Sequence, residues 1–80
     1  MIPITSPKTL GKVLRRHRKN LGLSQGDAGK QFKLTQKTIS NMEAGLPGVR
    51  LSSLFRYMSA LGLEMQLQSR KLPGKNEAPW

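Results

Sequence analysis

Residues 34–45, LTQKTISNMEAG, combine side chains that could recognise a nucleic acid. If this segment is a helix, its outer face carries Gln36, Lys37, Ser40 and Asn41. Carboxamides, hydroxyls and ammonium groups donate hydrogen bonds to base edges and phosphates, whereas a carboxylate on the same face would repel phosphate. Only Glu43 supplies a carboxylate in this segment. The pattern therefore predicts a surface that reads DNA.

Base contacts are expected from four residues near the start of this helix. Gln36 can offer adenine a paired donor and acceptor, and Lys37 can donate to guanine O6 or N7. Thr35 and Ser40 are short enough to meet a base edge, and the threonine methyl could touch a thymine methyl.

Phosphate contacts are expected around the same face. Gln25 stands at the amino end of the preceding helix, where free amides favour an anion. Arg50 and Ser52 stand similarly at the start of the following helix. The full predicted set is Lys12, Gln25, Thr38, Asn41, Arg50 and Ser52.

Side chains for catalysis or metal binding are scarce. The chain has no cysteine and one histidine, His17, which removes disulfides, thiolate chemistry and the usual zinc ligand sets. Ser24 and Ser40 have no base placed to activate them, and His17 falls on an apolar helix face where packing is expected. We predict neither an enzyme nor a metal or cofactor site.

The net charge of the chain also favours a nucleic-acid partner. The 80 residues carry 14 Lys and Arg against 4 Asp and Glu, a formal charge of +10, and residues 8–37 hold nine of the basic residues and one acid. Such a one-sided field attracts polyanions. With no apolar run long enough for a membrane span and no secretion signal, a soluble cytoplasmic protein is expected, on the nucleoid when bound to DNA.

Four helices must position these residues, and the fold class is predicted to be all-α. Hydroxyls at Ser6, Ser24 and Thr35 would cap the first three helices. The expected spans are residues 7–20, 25–32, 36–44 and 51–61. The tight turn Lys33-Leu34 between the second and third helices predicts a helix-turn-helix, in which the second helix of the pair enters the major groove.

The fourth helix has the strongest apolar stripe and is expected to face the core. The stripe comprises Leu51, Leu54, Phe55, Met58 and Leu61. Met42, Met58 and Met65 are also expected in the core, and Gly29 is expected to let another helix approach closely.

After Gly62 the apolar residues Leu63, Met65 and Leu67 alternate with polar ones, which predicts a half-buried strand. One strand alone leaves its backbone groups unpaired, so we expect the same strand of a second copy to pair with it across a twofold axis. Residues 1–69 then form the DNA-binding and dimerisation domain, and residues 70–80 a flexible tail that ends in Trp80.

The run GLSQGDAGKQFKLTQKTISNMEAG, with Arg18 before it, resembles the phage-repressor-like (Cro/cI, XRE) helix-turn-helix family. The resemblance covers about residues 9–62 and implies the compact lambda-repressor-like fold. It also implies that Gln25 contacts phosphate, that Gln36, Lys37 and Ser40 face bases, and that Arg18 and Glu43 form a structural ion pair. Relatives usually have leucine then alanine where this chain has Ala28 and Gly29.

The start SPKTL, the TISN run, the alternating segment after Gly62 and the terminal tryptophan look like the Hip-type antitoxins, HipB and its relatives. This resemblance implies a homodimer that represses its own operon at a palindromic operator in double-stranded DNA. It further implies a HipA-like serine/threonine kinase toxin as partner, with Trp80 as the candidate toxin contact. The alternative is an exposed terminal aromatic that is simply disordered.

The sequence leaves two other functions open. The chain could be a stand-alone repressor without a toxin, or the basic first helix could bind membranes or polyanions without sequence preference. Membrane binding needs large aromatic anchors on the apolar face. The first helix has none, which counts against that function.

Overall fold

Four helices make up the regular structure of residues 2–70, the part of the chain that the computed structural model describes. In chain order they are α1 (Pro7–Asn20), α2 (Gln25–Phe32), α3 (Gln36–Glu43) and α4 (Leu51–Ala60). The prediction of a four-helix, all-α fold is confirmed. None of the helices described is both long and apolar enough to span a membrane.

Hydroxyl side chains begin the first three helices, as predicted. Ser6 Oγ accepts from the Thr9 amide at 3.1 Å, and Ser24 Oγ accepts from the Asp27 amide at 3.0 Å. Each cap satisfies one of the amides that the first turn of a helix leaves without a partner. Arg50 precedes α4 and provides no such side-chain bond, so that helix starts without a side-chain cap.

A glycine lets α1 and α3 cross in close contact. A Cβ at Gly11 would clash with the Glu43 carbonyl oxygen and would lie 2.7 Å from that of Met42. Beyond α3, Gly45 adopts a φ of +72°, and a Cβ there would lie 2.6 Å from Lys8 Cα. Both positions fix α1 against the carboxyl end of α3.

The turn between α2 and α3 is tight. Lys33 adopts a left-handed conformation, with φ of 59°, and the Leu34 amide donates to the Gly29 carbonyl at 2.9 Å. A Cβ at Gly29 would lie 2.7 Å from the Leu34 carbonyl oxygen. Because Gly29 has no side chain, the backbone of the turn can pack directly against it. The expected neighbour was another helix, but the closest backbone atom belongs to the turn.

The core differs from the predicted one along α4. Met58 and Leu61 are buried as expected, and Leu54 is half-buried, but Leu51 and Phe55 are 63% and 46% exposed. Tyr57 is completely buried instead. The prediction followed the helical spacing of apolar residues and placed Phe55 inside. The helix is rotated because the Tyr57 hydroxyl finds a buried acceptor in Glu43, at 2.6 Å.

The full buried cluster draws on all four helices and consists of Leu14, Ala28, Ile39, Met42, Tyr57, Met58 and Leu61. Met42 and Met58 belong to it as expected, whereas Met65 is 43% exposed, so its assignment to the core was wrong. His17 is half-buried on α1.

Residues 63–70 form neither helix nor strand in the single chain described. Leu63 packs on the core, while Leu67 is 90% exposed. The side chains of Glu64 and Gln66 share one side, where Gln66 Nε2 donates to Glu64 Oε2 at 3.0 Å. A ladder needs a second strand, and the described residues provide none for this segment.

Candidate nucleic-acid interface

The outer face of α3 is polar and open to solvent. Gln36, Lys37 and Ser40 are all exposed, while Ile39 and Met42 on the opposite face are buried. Glu43 is the only carboxylate on α3, and it is buried. The exposed face therefore offers an amide, an ammonium group and a hydroxyl without a competing negative charge.

Thr35 is exposed, but its hydroxyl has local partners. Thr35 Oγ1 accepts from the Thr38 amide at 3.0 Å and donates to Thr38 Oγ1 at 2.8 Å. These bonds cap α3 and orient both side chains. In this arrangement the methyl group of Thr35 is the part left to meet a base, and its hydroxyl serves the helix.

A polar cleft lies between α3 and the start of α4. It has a volume of about 200 Å³ and brings together three of the predicted phosphate contacts, Thr38, Asn41 and Arg50. Ser53 lines the cleft, whereas Ser52 is exposed and does not. The sequence offered two adjacent serines, and the rotation of α4 decides which one faces α3.

Gln25, at the first position of α2, lies close to α3. Its Nε2 donates to Glu43 Oε1 at 3.2 Å. One N–H of that amide is thus directed inward, and the other remains for an outside acceptor. Gln36 is a neighbour, since its Oε1 lies 3.6 Å from where a Cβ on Gly26 would stand.

The Glu43 carboxylate is the point at which the four helices meet. Arg18 holds it with two bonds, from Nε to Oε2 at 2.8 Å and from Nη2 to Oε1 at 2.9 Å. Tyr57 donates to Oε2, and Gln25 donates to Oε1. Arg18 also donates from Nη1 to the Leu23 carbonyl at 2.7 Å. A two-bond arginine–carboxylate pair fixes geometry as well as charge.

These contacts set the protonation states of the cluster. Burial acts to raise the pKa of Glu43, but the hydrogen bonds from Arg18, Tyr57 and Gln25 outweigh it and hold that pKa below its usual value. The hydrogen bond that Arg18 donates to Glu43 raises the pKa of Arg18. Burial, followed by the bond to Glu43, raises the pKa of the Tyr57 phenol. The cluster is therefore an ion pair with a neutral phenol at neutral pH.

Other predicted residues lie apart from α3 or outside the described part. Lys12 is exposed on α1, away from the cleft. Leu63, Met65 and Leu67 follow α4, and Trp80 lies outside the described residues. No group of three metal-binding side chains occurs among residues 2–70.

Sequence reasoning missed two residues of this region. Ser53 was overlooked because the stripe of α4 was assigned with the wrong rotation. Tyr57 was overlooked because it falls outside that stripe. A buried tyrosine needs a partner for its hydroxyl, and the pairing expected for Glu43 could have suggested one.

Comparison with known proteins agrees with this geometry. A family model described as "Helix-turn-helix domain" matches residues 9–69. A HipB–O2 20mer complex contains a chain that is 30% identical, with a TM-score of 0.79, over 89% of this chain and 99% of that one. A HipA-HipB-O2-O3 complex gives the same identity, TM-score and share of this chain, over 100% of that chain. No curated protein sequence gives a significant match.

The capped α2, the tight turn at Lys33 and the exposed polar face of α3 form the helix-turn-helix that the family model describes. The likeness to HipB extends through α4 and over most of the chain. This chain therefore belongs to the phage-repressor-like (XRE) helix-turn-helix family of DNA-binding proteins, and within it resembles HipB.

Proposed function

We propose that this protein is a HipB-like antitoxin: a homodimer that represses its own operon by reading a palindromic operator and that binds a HipA-like serine/threonine kinase toxin. The observation that carries the proposal is the match to HipB, at 30% identity over 89% of the chain. The similar structures are complexes of HipB with 20mers and with HipA. In this role the protein is a regulator in the cytoplasm and performs no catalysis.

Reading of DNA is assigned to α3. Gln36, Lys37 and Ser40 would meet base edges in the major groove, together with the methyl group of Thr35. Their exposure and the absence of a carboxylate beside them support this assignment. Because α3 is held at Glu43 by three other helices, its reading face would enter the groove as a rigid unit.

Phosphate contacts would flank α3 on both sides. Gln25 has one amide N–H left for an outside acceptor, and Arg50 begins a helix without a side-chain cap. Backbone amides at such a helix start favour an anion. Thr38 and Asn41 line the same cleft as Arg50 and would contribute to binding. Ser52 and Lys12 are exposed and would add contacts outside the cleft.

Dimerisation is assigned to residues 63–68, paired antiparallel with a second copy. Leu63 packs on its own core, but Met65 and Leu67 are exposed. An apolar groove of about 460 Å³ adjoins Met65 and is lined by Ile4, Leu46 and Leu51 among others. A second strand would satisfy the backbone groups of the segment and cover this apolar surface.

Toxin binding is assigned in part to residues 70–80, with Trp80 as the contact. The support is the likeness to HipB, which has been solved together with HipA. Terminal tryptophans provide a large apolar area for a partner pocket. Residues 1–69 would then carry DNA binding and dimerisation independently of this tail.

The test is co-expression of the tagged protein with the product of the adjacent gene, followed by pull-down and footprinting on the promoter of the operon. The proposal expects one kinase-like partner and one protected inverted repeat. Deletion of residues 75–80 should abolish capture of the partner and leave the footprint unchanged. A footprint without any partner would instead support a stand-alone repressor, and the absence of a protected site would overturn the proposal.

A further inference from the structure

Helix α1 presents a continuous row of positive charge, which we call the α1 stripe. Its members are all exposed: Lys8, Lys12, Arg15, Arg16 and Lys19. At about 100° per residue they fall within an arc of about 100° on the helix surface. From Lys8 to Lys19 the stripe runs about 16 Å along the helix axis.

The stripe is unfavourable for the isolated protein. No acidic residue lies between Pro7 and Asn20, and within residues 2–70 the one ion pair joins Arg18 to Glu43. Like charges three and four positions apart, such as Lys12 and Arg16, destabilise a helix. Lys8 adds a positive charge at the amino end, where the helix dipole favours a negative one. An external anion would relieve this repulsion.

The position of the stripe links it to the reading helix. Gly11, where α1 touches the Met42 and Glu43 carbonyls of α3, marks the side of α1 that faces α3. Around the helix axis, the stripe residue nearest to Gly11 is Arg15, about 40° away. Along the axis, the first stripe residue is Lys8, which lies against Gly45 just beyond α3. The stripe therefore starts at the carboxyl end of α3, whereas Gln36 and Lys37 stand at its amino end.

The chemistry of the stripe fits phosphate better than a protein surface. A protein interface is centred on apolar or aromatic side chains that become fully buried, and the stripe contains none. A DNA strand presents about one phosphate per 3.4 Å of helix axis. A stripe of about 16 Å is thus long enough to contact several phosphates of one strand.

We infer that the α1 stripe binds the phosphate backbone of the DNA that flanks the half-site read by α3. The inference rests on the proposed function, because α3 must first set the position of the protein on the duplex. It extends that function beyond the single phosphate contact predicted at Lys12. The stripe adds affinity that depends on DNA length and salt and carries no sequence preference.

The experiment uses the full-length protein and a duplex selected from a random library. Binding is measured to the selected site trimmed to its protected base pairs, and to the same site extended by about 10 base pairs on each side, over a range of salt concentrations. The stripe variant is Lys12→Gln, Arg15→Gln, Lys19→Gln. Its matched control, Lys30→Gln, Arg56→Gln, Arg70→Gln, removes the same charge from exposed positions outside α1 and α3.

Wild-type protein and the control variant should bind the extended duplex about tenfold more tightly than the trimmed one at low salt. The stripe variant should lose most of that gain, and its salt dependence should fall by about 0.9 in log–log slope for each lost phosphate contact. Thermal unfolding, monitored by circular dichroism, checks that both variants fold.

Equal losses in the stripe and control variants would overturn the inference, because only net charge would then matter. It is also overturned if wild-type protein binds both duplexes equally, or if the stripe variant keeps the gain but no longer captures the co-expressed partner protein. In each of these cases the library still yields a preferred DNA sequence. Failure of the proposed function looks different, since no sequence would then be selected from the library.

Discussion

The Tyr57 hydroxyl donates to Glu43 Oε2 at 2.6 Å, and this bond ties α4 to the carboxylate that α1 and α2 also hold. Both residues are buried, and no buried side-chain polar atom among the described residues lacks a partner. A carboxylate buried in this way needs all its donors, because any loss leaves charge without compensation. The orientation of α3 thus depends on one polar cluster as well as on the apolar core.

Replacing Tyr57 with phenylalanine should destabilise the protein while preserving the packing of the ring. The change removes one hydrogen bond to a charged acceptor, which corresponds to about 1.5–3 kcal/mol of unfolding free energy. Urea unfolding measures this loss. Phe55→Leu on the exposed side of the same helix is the control and should change the free energy of unfolding by less than about 0.5 kcal/mol. Equal effects of the two substitutions would contradict the role given to the hydroxyl.

Acid should weaken the fold through Glu43. Its folded pKa lies below the unfolded value, so its stabilisation is fully present above the unfolded pKa, about 4.3. That stabilisation is lost as the pH falls through the folded pKa. Glu43→Gln should lower the free energy of unfolding at pH 7 and flatten its dependence on pH below about 4.3. Glu64→Gln, at an exposed position, is the control; an unchanged acid limb in Glu43→Gln would contradict this account.

Two glycines on adjacent helices should respond to alanine in opposite directions. At Gly26 the nearest atom to a new Cβ is Gln36 Oε1 at 3.6 Å, so alanine fits and should stabilise α2 by about 0.5–1 kcal/mol. At Gly11 a new Cβ meets the backbone carbonyls of α3, so alanine should cost about 1–3 kcal/mol or more. Thermal unfolding of both variants decides the point, and stabilisation by Gly11→Ala would show that α1 and α3 are not in close contact.

Assembly should depend on residues 63–68. A proline at Met65 cannot donate to a strand ladder, so it should convert the proposed dimer into a monomer. Light scattering measures the mass in solution, and Met65→Ala serves as the control for loss of the side chain alone. If the proline variant keeps the mass of the wild type, the two copies do not assemble through this segment.

The helices and their caps could be predicted from the sequence because their signals are local. Ser6, Ser24 and Thr35 stand where helices begin. The buried aliphatic and methionine side chains of these three helices are Leu14, Ala28, Ile39 and Met42. The rotation of α4 could not be predicted in this way. It depends on a hydrogen bond between Tyr57 and Glu43, which are fourteen residues apart, and hydropathy ranks Phe55 above Tyr57.

The candidate interface likewise contains features that follow from local sequence signals and features that depend on contacts between helices. The polar face of α3 follows from the helical period, since Gln36, Lys37 and Ser40 need only a helix to share a side. The inward amide of Gln25 and the place of Ser53 in the cleft depend on packing between helices. No pattern within a single helix specifies such contacts.

The central claim, that the outer face of α3 reads base sequence, is tested most directly by the affinity of Gln36→Ala for two duplexes, the selected site and a random sequence of equal length. We expect a loss of about 1–3 kcal/mol on the selected site with relaxed preference at one base pair, and little change on random DNA. Lys12→Ala, the control, should weaken binding to both duplexes to a similar extent. Equal losses on both duplexes for Gln36→Ala would contradict direct readout by α3.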